Sequence, residues 1–361
     1  MGMRPARSAE RAEAARLLSG FLSAGAELVE ADILQPAEIL LDLYGEDIRA
    51  RAFTTQGPEG EVMLRPDFTV PVVQMHMARG GAPARYAYAG EVFRRQAGGA
   101  DRPSEYLQVG FELFGGDPAA SDAECFALFH RVLAPHAPRV LTGDIGILTA
   151  AVRGLHTSDA RKSALLRHIW RPRRFRALLD RYAGKTPPPP ARTALLQARD
   201  PFAGAGPEIG LRDRADVEAR IAALRADAAE PHISSTEVAL IDDLLDLREG
   251  SSCALGRLWD LAVDMPAIGP AADTLSRRLD ALDAAGIAPE SLPFEASHGR
   301  STMEYYDGFV FSFSLPDRPD LPPLSTGGRY DALTRVLGQG RASPAVGGVL
   351  RPALLLETAS C

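Results

Sequence analysis

The sequence predicts an α+β fold in which a core of strands and helices is split by an all-helical segment. Three observations lead to this prediction. Residues 1–152 combine amphipathic helical patterns with strand-like segments, residues 153–287 repeat alanine and leucine at helical spacing, and residues 288–361 return to strand-like alternation. With 46% hydrophobic and 24% charged residues among 361, the composition is that of an ordinary globular protein.

Two helices and four strands are predicted in residues 1–152, the first part of the core. Apolar residues at spacings of three and four predict a helix over residues 12–31. A second helix is predicted to begin near Ser121, because Ser121 and Glu124 fit a capping box. Strand-type residues bounded by Gly and Pro predict strands over residues 63–64, 85–94, 105–114 and 140–147.

A helical insertion is predicted over residues 153–287, followed by a return to the core. In residues 288–361, Phe309, Phe311 and Phe313 occupy alternate positions, so a strand would place all three on one face. These residues are expected to complete the core that the first part of the chain begins.

Charge and hydropathy exclude several classes of protein. The formal net charge of -7 disfavours a chain whose main task is to grip a phosphate backbone, because that binding depends on Lys and Arg contacts. The basic run at residues 161–176 is either a solvated helix face or a docking surface for an acidic partner. No apolar stretch reaches the roughly 20 residues of a membrane span, and no secretory signal pattern precedes the core. We therefore expect a cytoplasmic protein with no membrane partner.

Neither disulfides nor metal sites are expected. The three cysteines are scattered and lack CxxC spacing, and the seven histidines show no HExxH or paired ligand spacing. No other pattern indicates a bound cofactor. The sequence therefore predicts no metal ligands and no cofactor.

The segment Glu105–Phe114 is the most informative strand of the sequence. Side chains alternate along a strand, so one face is apolar while Gln108, Gly110 and Glu112 share the other. Gly110 would leave space between the amide and the carboxylate, and the three together would form a floor for a small cationic or zwitterionic ligand. The alternative is a half-solvated strand whose polar residues face outward.

Five short motifs occur in a fixed order along the chain. They are LRPDFTVP at residues 64–71, GEVFRRQ at 90–96, QVGFE at 108–112, EYY at 304–306 and GGRYD at 327–331. In this order they resemble the catalytic core of histidyl-tRNA synthetase, and the resemblance covers nearly the whole chain. It implies a class II aminoacyl-tRNA synthetase-like fold, with an antiparallel sheet core flanked by helices.

The resemblance also implies a pocket for L-histidine. In the family, residues at the matching motif positions hold the amino group and the rest of the amino acid, and two tyrosines line the imidazole pocket. Carboxylate and hydroxyl acceptors suit an ammonium group, and aromatic walls suit a flat ring. The implied histidine-binding residues are Asp67, Thr69, Arg94, Gln108, Glu112, Tyr305 and Tyr306.

The groups that handle ATP in the synthetases are largely missing from this sequence. Gln96 replaces an expected glutamate, and Ser104 and Ser301 stand at positions of expected arginines. Leu354 occupies the arginine position of the C-terminal signature, and Arg351 precedes a proline that disfavours helical geometry for the arginine. Because positioned cations stabilise the phosphate charge in the transition state, we expect the synthetase reaction to be lost and no residue to be catalytic.

The synthetases continue with a domain that reads the anticodon, whereas this sequence ends at Cys361. We therefore expect no anticodon-binding domain and no tRNA partner. A retained amino-acid pocket without the ATP arginines resembles the histidyl-tRNA synthetase-like regulatory subunits of short-form ATP phosphoribosyltransferase. The resemblance implies a hetero-oligomer with the catalytic subunit, activation of that subunit, and feedback inhibition by histidine.

Self-association and two other functions complete the expectations. The resemblance implies a dimeric core, paired through residues 32–44. An active, truncated histidyl-tRNA synthetase remains possible on the sequence, as does another amino-acid-binding or adenylating paralogue.

Overall fold

A nine-stranded sheet forms the centre of the computed structural model, which describes residues 5–38, 51–96, 103–300 and 305–358. In spatial order its strands are β1 (Glu27–Leu28), β5 (Ala84–Phe93), β6 (Glu105–Phe114), β12 (Ala345–Leu350), β11 (Ser325–Arg329), β10 (Phe309–Ser314), β7 (Arg139–Asp144), β9 (Pro293–Glu295) and β8 (Arg248–Gly250). Neighbours are antiparallel, except that β1 is parallel to β5 and β7 is parallel to β9. A smaller sheet contains β2 (Leu34–Pro36), β4 (Gly60–Leu64) and β3 (Thr54–Gly57).

Thirteen helices flank this sheet in the described part of the chain. Those of the core are α1 (Arg7–Ser23), α2 (Thr69–Ala78), α3 (Pro118–Leu133), α4 (Ile145–Gly154), α12 (Asp331–Leu337) and α13 (Pro352–Thr358). Those of the predicted insertion are α5 (Asp159–Arg167), α6 (Pro172–Tyr182), α7 (Pro190–Gln197), α8 (Arg214–Ala229), α9 (Ser235–Asp246), α10 (Ser251–Asp264) and α11 (Gly269–Ala284). None of the helices in these ranges has the length and hydropathy that a membrane-spanning helix needs.

The apolar core lies on one face of the sheet, under α1 and α3. Phe126 of α3 contacts the rings of Phe309, Phe311 and Phe313, with centroid separations of 6.0, 5.5 and 5.4 Å. The three β10 phenylalanines therefore share one face, as their alternation predicts. The opposite face of β6 is turned towards α2, and this is the face that carries the polar residues of the strand.

The predicted ends of several elements are wrong, and local geometry gives the reason. The first helix ends at Ser23 rather than at residue 31, because Gly25 adopts a left-handed φ of 89° and β1 follows. The helix predicted from Ser121 begins at Pro118 and is capped by Asp117, whose carboxylate accepts from the Ala120 amide. Ser121 instead donates to the Gly115 carbonyl, so the predicted capping box is absent.

The predicted strand over residues 140–147 is also too long. It ends at Asp144, whose carboxylate accepts from the Gly146 amide at 2.8 Å and so begins α4. A further strand, β8, lies inside the predicted insertion and pairs with β9 of the main sheet. Residues 153–287 are therefore mostly helical, and they contribute one edge strand to the core sheet.

A buried cluster of charges joins the helical segment to the core. Arg278 of α11 is 1% exposed and contacts Asp122 of α3 at 2.8 Å and Asp144 at 2.9 Å. Asp122 also pairs with Arg329 of β11 at 2.7 Å, and Arg329 pairs with Asp331 at 2.9 Å. Because buried charges are tolerated only when they are paired, this cluster fixes the position of α11 against α3 and the sheet.

The basic run at residues 161–176 is not one solvated face. Arg161 is 5% exposed, and its guanidinium lies 2.8 Å from Asp227 and 3.4 Å from Glu230. Arg176 pairs with Asp242 at 2.6 Å. Arg167, Arg173 and Arg174 are exposed. The interpretation as a solvated face therefore fails for the buried and paired members of the run.

Candidate functional site

The carboxyl group of Glu112 is the centre of the candidate site. Glu112 lies on β6 and its side chain is fully buried. One carboxylate oxygen accepts hydrogen bonds from the hydroxyls of Thr69 and Tyr88, both at 2.9 Å, and the other accepts from Tyr330 at 2.5 Å. Three hydroxyl groups, from α2, β5 and the residue before α12, therefore converge on a single buried acid.

This environment changes the acidity of the group. Burial raises the pKa of Glu112 to about 7, while the hydrogen bonds from Tyr330, Thr69 and Tyr88 act in the opposite direction. Burial also raises the pKa of the Tyr88 and Tyr330 phenols, so both remain protonated donors. A ligand that brings a cation or an N–H donor to Glu112 would favour its ionised form.

Two glycines set the shape of the site. A Cβ at Gly347, which lies opposite Glu112 in the β6–β12 ladder, would be 1.6 Å from the carboxylate, so glycine is required there. A Cβ at Gly110 would lie 2.1 Å from the ring of Tyr88. The space above Gly110 is therefore filled by Tyr88, and the expectation that this space would receive a ligand is wrong.

Gln108 lies on the same face of β6 as Glu112, four residues earlier. It is 1% exposed, and its side-chain oxygen has no hydrogen-bond partner among the residues that the structure describes. Since an unpartnered buried acceptor is costly, this amide is available to a ligand donor. The whole of β6 from Leu107 onward is buried, which contradicts the alternative of a half-solvated strand.

Asp67 and Arg94 form the part of the site next to the loop before α2. Asp67 is 2% exposed. The guanidinium of Arg94 donates to the Pro66 carbonyl at 2.7 Å and lies 3.7 Å from the Asp67 carboxylate. The loop thus presents a buried acid and a partly exposed cation side by side, which is the charge pattern that a zwitterionic amino acid would match.

Tyr305 and Tyr306 form the aromatic side of the site. Their rings pack edge to face at 4.9 Å, and the Tyr305 hydroxyl donates to Thr69 at 3.4 Å. The backbone carbonyl of Tyr306 accepts from the indole N–H of Trp170 at 3.2 Å, which ties this wall to the turn between α5 and α6. The preceding residues of the EYY motif, including Glu304, lie outside the described residues, as does Ser301.

Hydrogen bonds thus link Thr69, Glu112 and Tyr305. Of the other predicted site residues, Gln108 lies on β6, Asp67 in the loop before α2, Arg94 directly after β5, and Tyr306 next to Tyr305. The sequence patterns did not single out Tyr88, Tyr330 or Trp170 as site residues. Tyr330 could have been predicted, because it is the tyrosine of the GGRYD motif. Tyr88 is opposite Gly110 in the ladder, a register that the sequence does not reveal.

At the positions expected to handle ATP, the described side chains serve the fold. The Gln96 amide donates to the carbonyls of Arg94 and Pro103, which a glutamate could not do. Leu354 packs against the core. Arg351 precedes α13, as its proline neighbour predicts, and donates to the Pro323 carbonyl at 2.7 Å.

The raised pKa of Glu112 predicts a pH-dependent stability. Between pH 4.5 and about 7 the folded chain retains a proton that the unfolded chain releases. The contribution of Glu112 to stability is therefore largest at acid pH, and the free energy of unfolding falls by roughly 3 kcal/mol as the pH rises through this window. Glu112→Gln removes this titration. The free energy of unfolding of the native chain minus that of the variant should fall between about pH 5 and pH 8 in denaturant titrations. A difference that stays constant would contradict the prediction.

Comparison with known proteins places this chain in a family. The family model described as histidyl-tRNA synthetase matches residues 2–204 and 211–355. Proteins of Brucella ovis and Brucella melitensis named ATP phosphoribosyltransferase regulatory subunit are 33% identical to this chain over an alignment of 349 residues. The alignment covers 89% of this chain and 90% of theirs.

Solved structures agree on the fold. A Bacillus halodurans protein titled as an ATP phosphoribosyltransferase regulatory subunit/histidyl-tRNA synthetase matches with a TM-score of 0.68 and 21% identity, covering 99% of this chain and 81% of that one. Histidyl-tRNA synthetase from Nostoc sp. PCC 7120 matches with a TM-score of 0.65 and 15% identity, covering 100% and 74%. The fold is that of the histidyl-tRNA synthetase-like class II proteins, as predicted. Within this class, the chain belongs to the family of ATP phosphoribosyltransferase regulatory subunits.

Proposed function

We propose that this chain is a cytoplasmic, non-catalytic regulatory subunit of a short-form ATP phosphoribosyltransferase. It assembles with the catalytic subunit, activates it, and mediates feedback inhibition by histidine. The relatives that carry this name support the assembly. The observation that best supports a ligand at this site is the buried Glu112. Three hydroxyl groups hold its carboxylate, beside the Gln108 side-chain oxygen that has no partner among the described residues.

In this proposal L-histidine occupies the Glu112 site with each of its groups matched. The ammonium group lies near Asp67 and Thr69, and Arg94 attracts the carboxylate. The imidazole ring lies against Tyr305 and Tyr306, with an N–H donated to Glu112, and Gln108 accepts a further hydrogen bond. The matching of a buried acid, a cation and aromatic walls to one zwitterion supports this placement.

Inhibition requires more than binding. Histidine can lower the rate of the complex only if it binds the less active state more tightly than the more active one. The Trp170 contact to Tyr306 and the Arg278 cluster both connect the core to the helical segment. We propose that residues 153–287 form an insertion between core segments 1–152 and 288–361, and that these two contacts bias its position.

The same subunit lacks synthetase activity in this proposal. Gln96 and Leu354 are engaged in structural contacts at positions where the synthetases act on ATP. Without the cations that neutralise the phosphates, the adenylation transition state is not stabilised. No tRNA partner and no cofactor belong to the proposed function.

Self-association through the small sheet is also part of the proposal. Ile33 is 45% exposed, Leu34 is 52% exposed and Phe53 is 36% exposed. Leu34 and Phe53 flank the same β4 residue, Leu64, so they form an apolar surface of the kind that is usually covered. The predicted interface at residues 32–44 includes β2, the strand that contains Leu34. Residues 39–44 lie outside the described part of the chain.

Co-purification with a short-form catalytic subunit tests the assembly. We expect a stable complex by size-exclusion chromatography and a higher phosphoribosyltransferase rate than that of the catalytic subunit alone. Pyrophosphate exchange into ATP in the presence of histidine should be absent. A chain that neither binds the catalytic subunit nor changes its rate would contradict the proposal, and histidine-dependent exchange would restore the synthetase alternative.

Trp170 should be a positioning residue for the tyrosine wall. Trp170→Phe removes the indole N–H that holds the Tyr306 carbonyl, and the lost hydrogen bond should weaken histidine binding by about 3-fold to 10-fold in calorimetry. Trp259→Phe is the matched control, because the only other tryptophan is 42% exposed on α10. Equal affinities in both variants would show that Trp170 does not position the site.

A further inference from the structure

A second cavity lies in the helical segment and shares no lining residue with the Glu112 site. Its volume is about 520 Å³. It is lined by Arg161 of α5, the end of α6, the loop between α6 and α7, α7, the second half of α8 and the loop after α8. This volume is within the range of pockets that hold small organic molecules.

The cavity carries an excess of positive charge. Four arginines and two carboxylates line it, which leaves two more guanidinium groups than acids. The arginines are Arg161, Arg181, Arg192 and Arg225, and the acids are Asp227 and Glu230. At neutral pH the lining therefore has a net charge that matches a dianion.

Both carboxylates are already engaged. Asp227 accepts from Arg161 and from Arg192, each at 2.8 Å. Burial acts to raise the pKa of Asp227, but the hydrogen bonds from these two arginines outweigh it and lower that pKa, so the group is ionised. Glu230 accepts from the Thr157 hydroxyl at 2.7 Å and from the Ser158 hydroxyl at 2.6 Å. These acids have little capacity left for the remaining arginines.

Arg181 and Arg225 account for the excess positive charge, although the charge of Arg181 also helps to lower the pKa of Asp227. The Nε atom of Arg181 is buried and has no hydrogen-bond partner in the described part of the chain. Its guanidinium lies 4.8 Å from the ring centroid of Tyr182, and the guanidinium of Arg161 lies 4.9 Å from the same centroid. Arg225 is exposed at the rim and donates to the carbonyls of Leu196 and Ala198, neutral acceptors that leave its charge uncompensated.

The rest of the cavity lining is mixed: Thr186, Thr193, Gln197 and His232 are polar, and another part is apolar or aromatic. Pro187, Pro188, Leu196 and Ala228 line it together with Tyr182. A ligand with charged groups only would leave these walls uncovered, whereas a phosphate ester of a flat or apolar group would cover them. Guanidinium groups suit phosphate oxygens, because they donate two hydrogen bonds in a fixed geometry.

We propose that this cavity is a second ligand site, which binds a phosphate monoester of about nucleotide size. The phosphate, with a charge of about -2 near neutral pH, lies against Arg181 and Arg225. The organic part of the ligand lies against Pro187, Pro188 and Tyr182. The site is independent of the proposed histidine pocket, so either can fail without the other.

Calorimetric titration of the full-length chain tests the site with AMP as the probe. We expect one AMP per chain, competition by inorganic phosphate, and no binding of adenosine, which lacks the phosphate. Arg181→Gln and Arg225→Gln should each weaken AMP binding by about tenfold or more, since a charge-assisted hydrogen bond is lost. Arg174→Gln, an exposed arginine of α6 outside the cavity, is the matched control and should leave AMP affinity unchanged.

Several outcomes would overturn the proposal. They are the absence of AMP and phosphate binding at millimolar concentration, unchanged affinity in Arg225→Gln, succinate binding as tightly as AMP, and binding of RNA without binding of AMP. Arg225 is exposed, so its variant should fold even if Arg181→Gln does not. Histidine titration of the same samples separates this site from the Glu112 pocket, because the Arg225→Gln variant should bind histidine with native affinity.

Discussion

The Arg278→Ala variant should lose about 3–5 kcal/mol of folding free energy. Arg278 is almost completely buried, pairs with Asp122 and Asp144, and lies over the Phe309 ring at 4.5 Å. Its removal leaves Asp144 without its cation in the interior and reduces the compensation of Asp122 to Arg329 alone. Guanidinium titration followed by circular dichroism measures the loss.

The neighbouring Arg277 is a matched control for this effect. It lies on the same helix, and its ion pair with Asp117 is long, at 3.4 Å, and exposed on both sides. Arg277→Ala should therefore change stability by less than about 1 kcal/mol. If both variants lost the same small amount, the buried cluster would not be what holds α11 against the core.

Gly347→Ala should greatly weaken histidine binding by displacing Glu112. The new Cβ would lie 1.6 Å from the carboxylate and 2.7 Å from the Phe111 carbonyl, so the backbone cannot move aside without breaking the β6–β12 ladder. The carboxylate must leave its place between Tyr330 and Thr69. In the proposed placement histidine donates one charge-assisted hydrogen bond to Glu112, and the loss of this bond corresponds to a roughly tenfold to hundredfold weaker affinity in calorimetry.

Gly256→Ala is the control for this substitution. Gly256 lies on α10, where an added Cβ meets no atom within 4 Å. That variant should bind histidine with native affinity. Native histidine affinity in Gly347→Ala would contradict the placement of the ligand at Glu112.

The local part of the fold could be predicted from the sequence. The strand Glu105–Phe114 has the predicted bounds, because both the alternation along the strand and the residues that bound it are local features of the sequence. The separation of Gln108 and Glu112 from the apolar face follows from the same alternation. The motif series contains Thr69, the predicted site residue that donates to Glu112, for a similar reason, since each motif is a short local pattern.

The burial of the site could not be predicted in this way. The polar face of β6 is covered because Thr69 and Tyr330 reach it from 43 and 218 residues away along the chain. Arg278 and Asp122 are likewise 156 residues apart. Such partners depend on strand register and helix docking, which no local pattern encodes. The same limit explains why neither alternative for the basic run, a solvated face or a docking surface, predicted the burial of Arg161 against Asp227.

The most direct test of the central claim is a histidine titration of the complex with the short-form catalytic subunit. The native chain should give a complex whose phosphoribosyltransferase rate falls as histidine is added. A chain carrying both Gln108→Ala and Glu112→Ala should still assemble and activate, but its complex should keep its rate at histidine concentrations that inhibit the native one. Unchanged inhibition in the double variant would contradict histidine sensing at the Glu112 site.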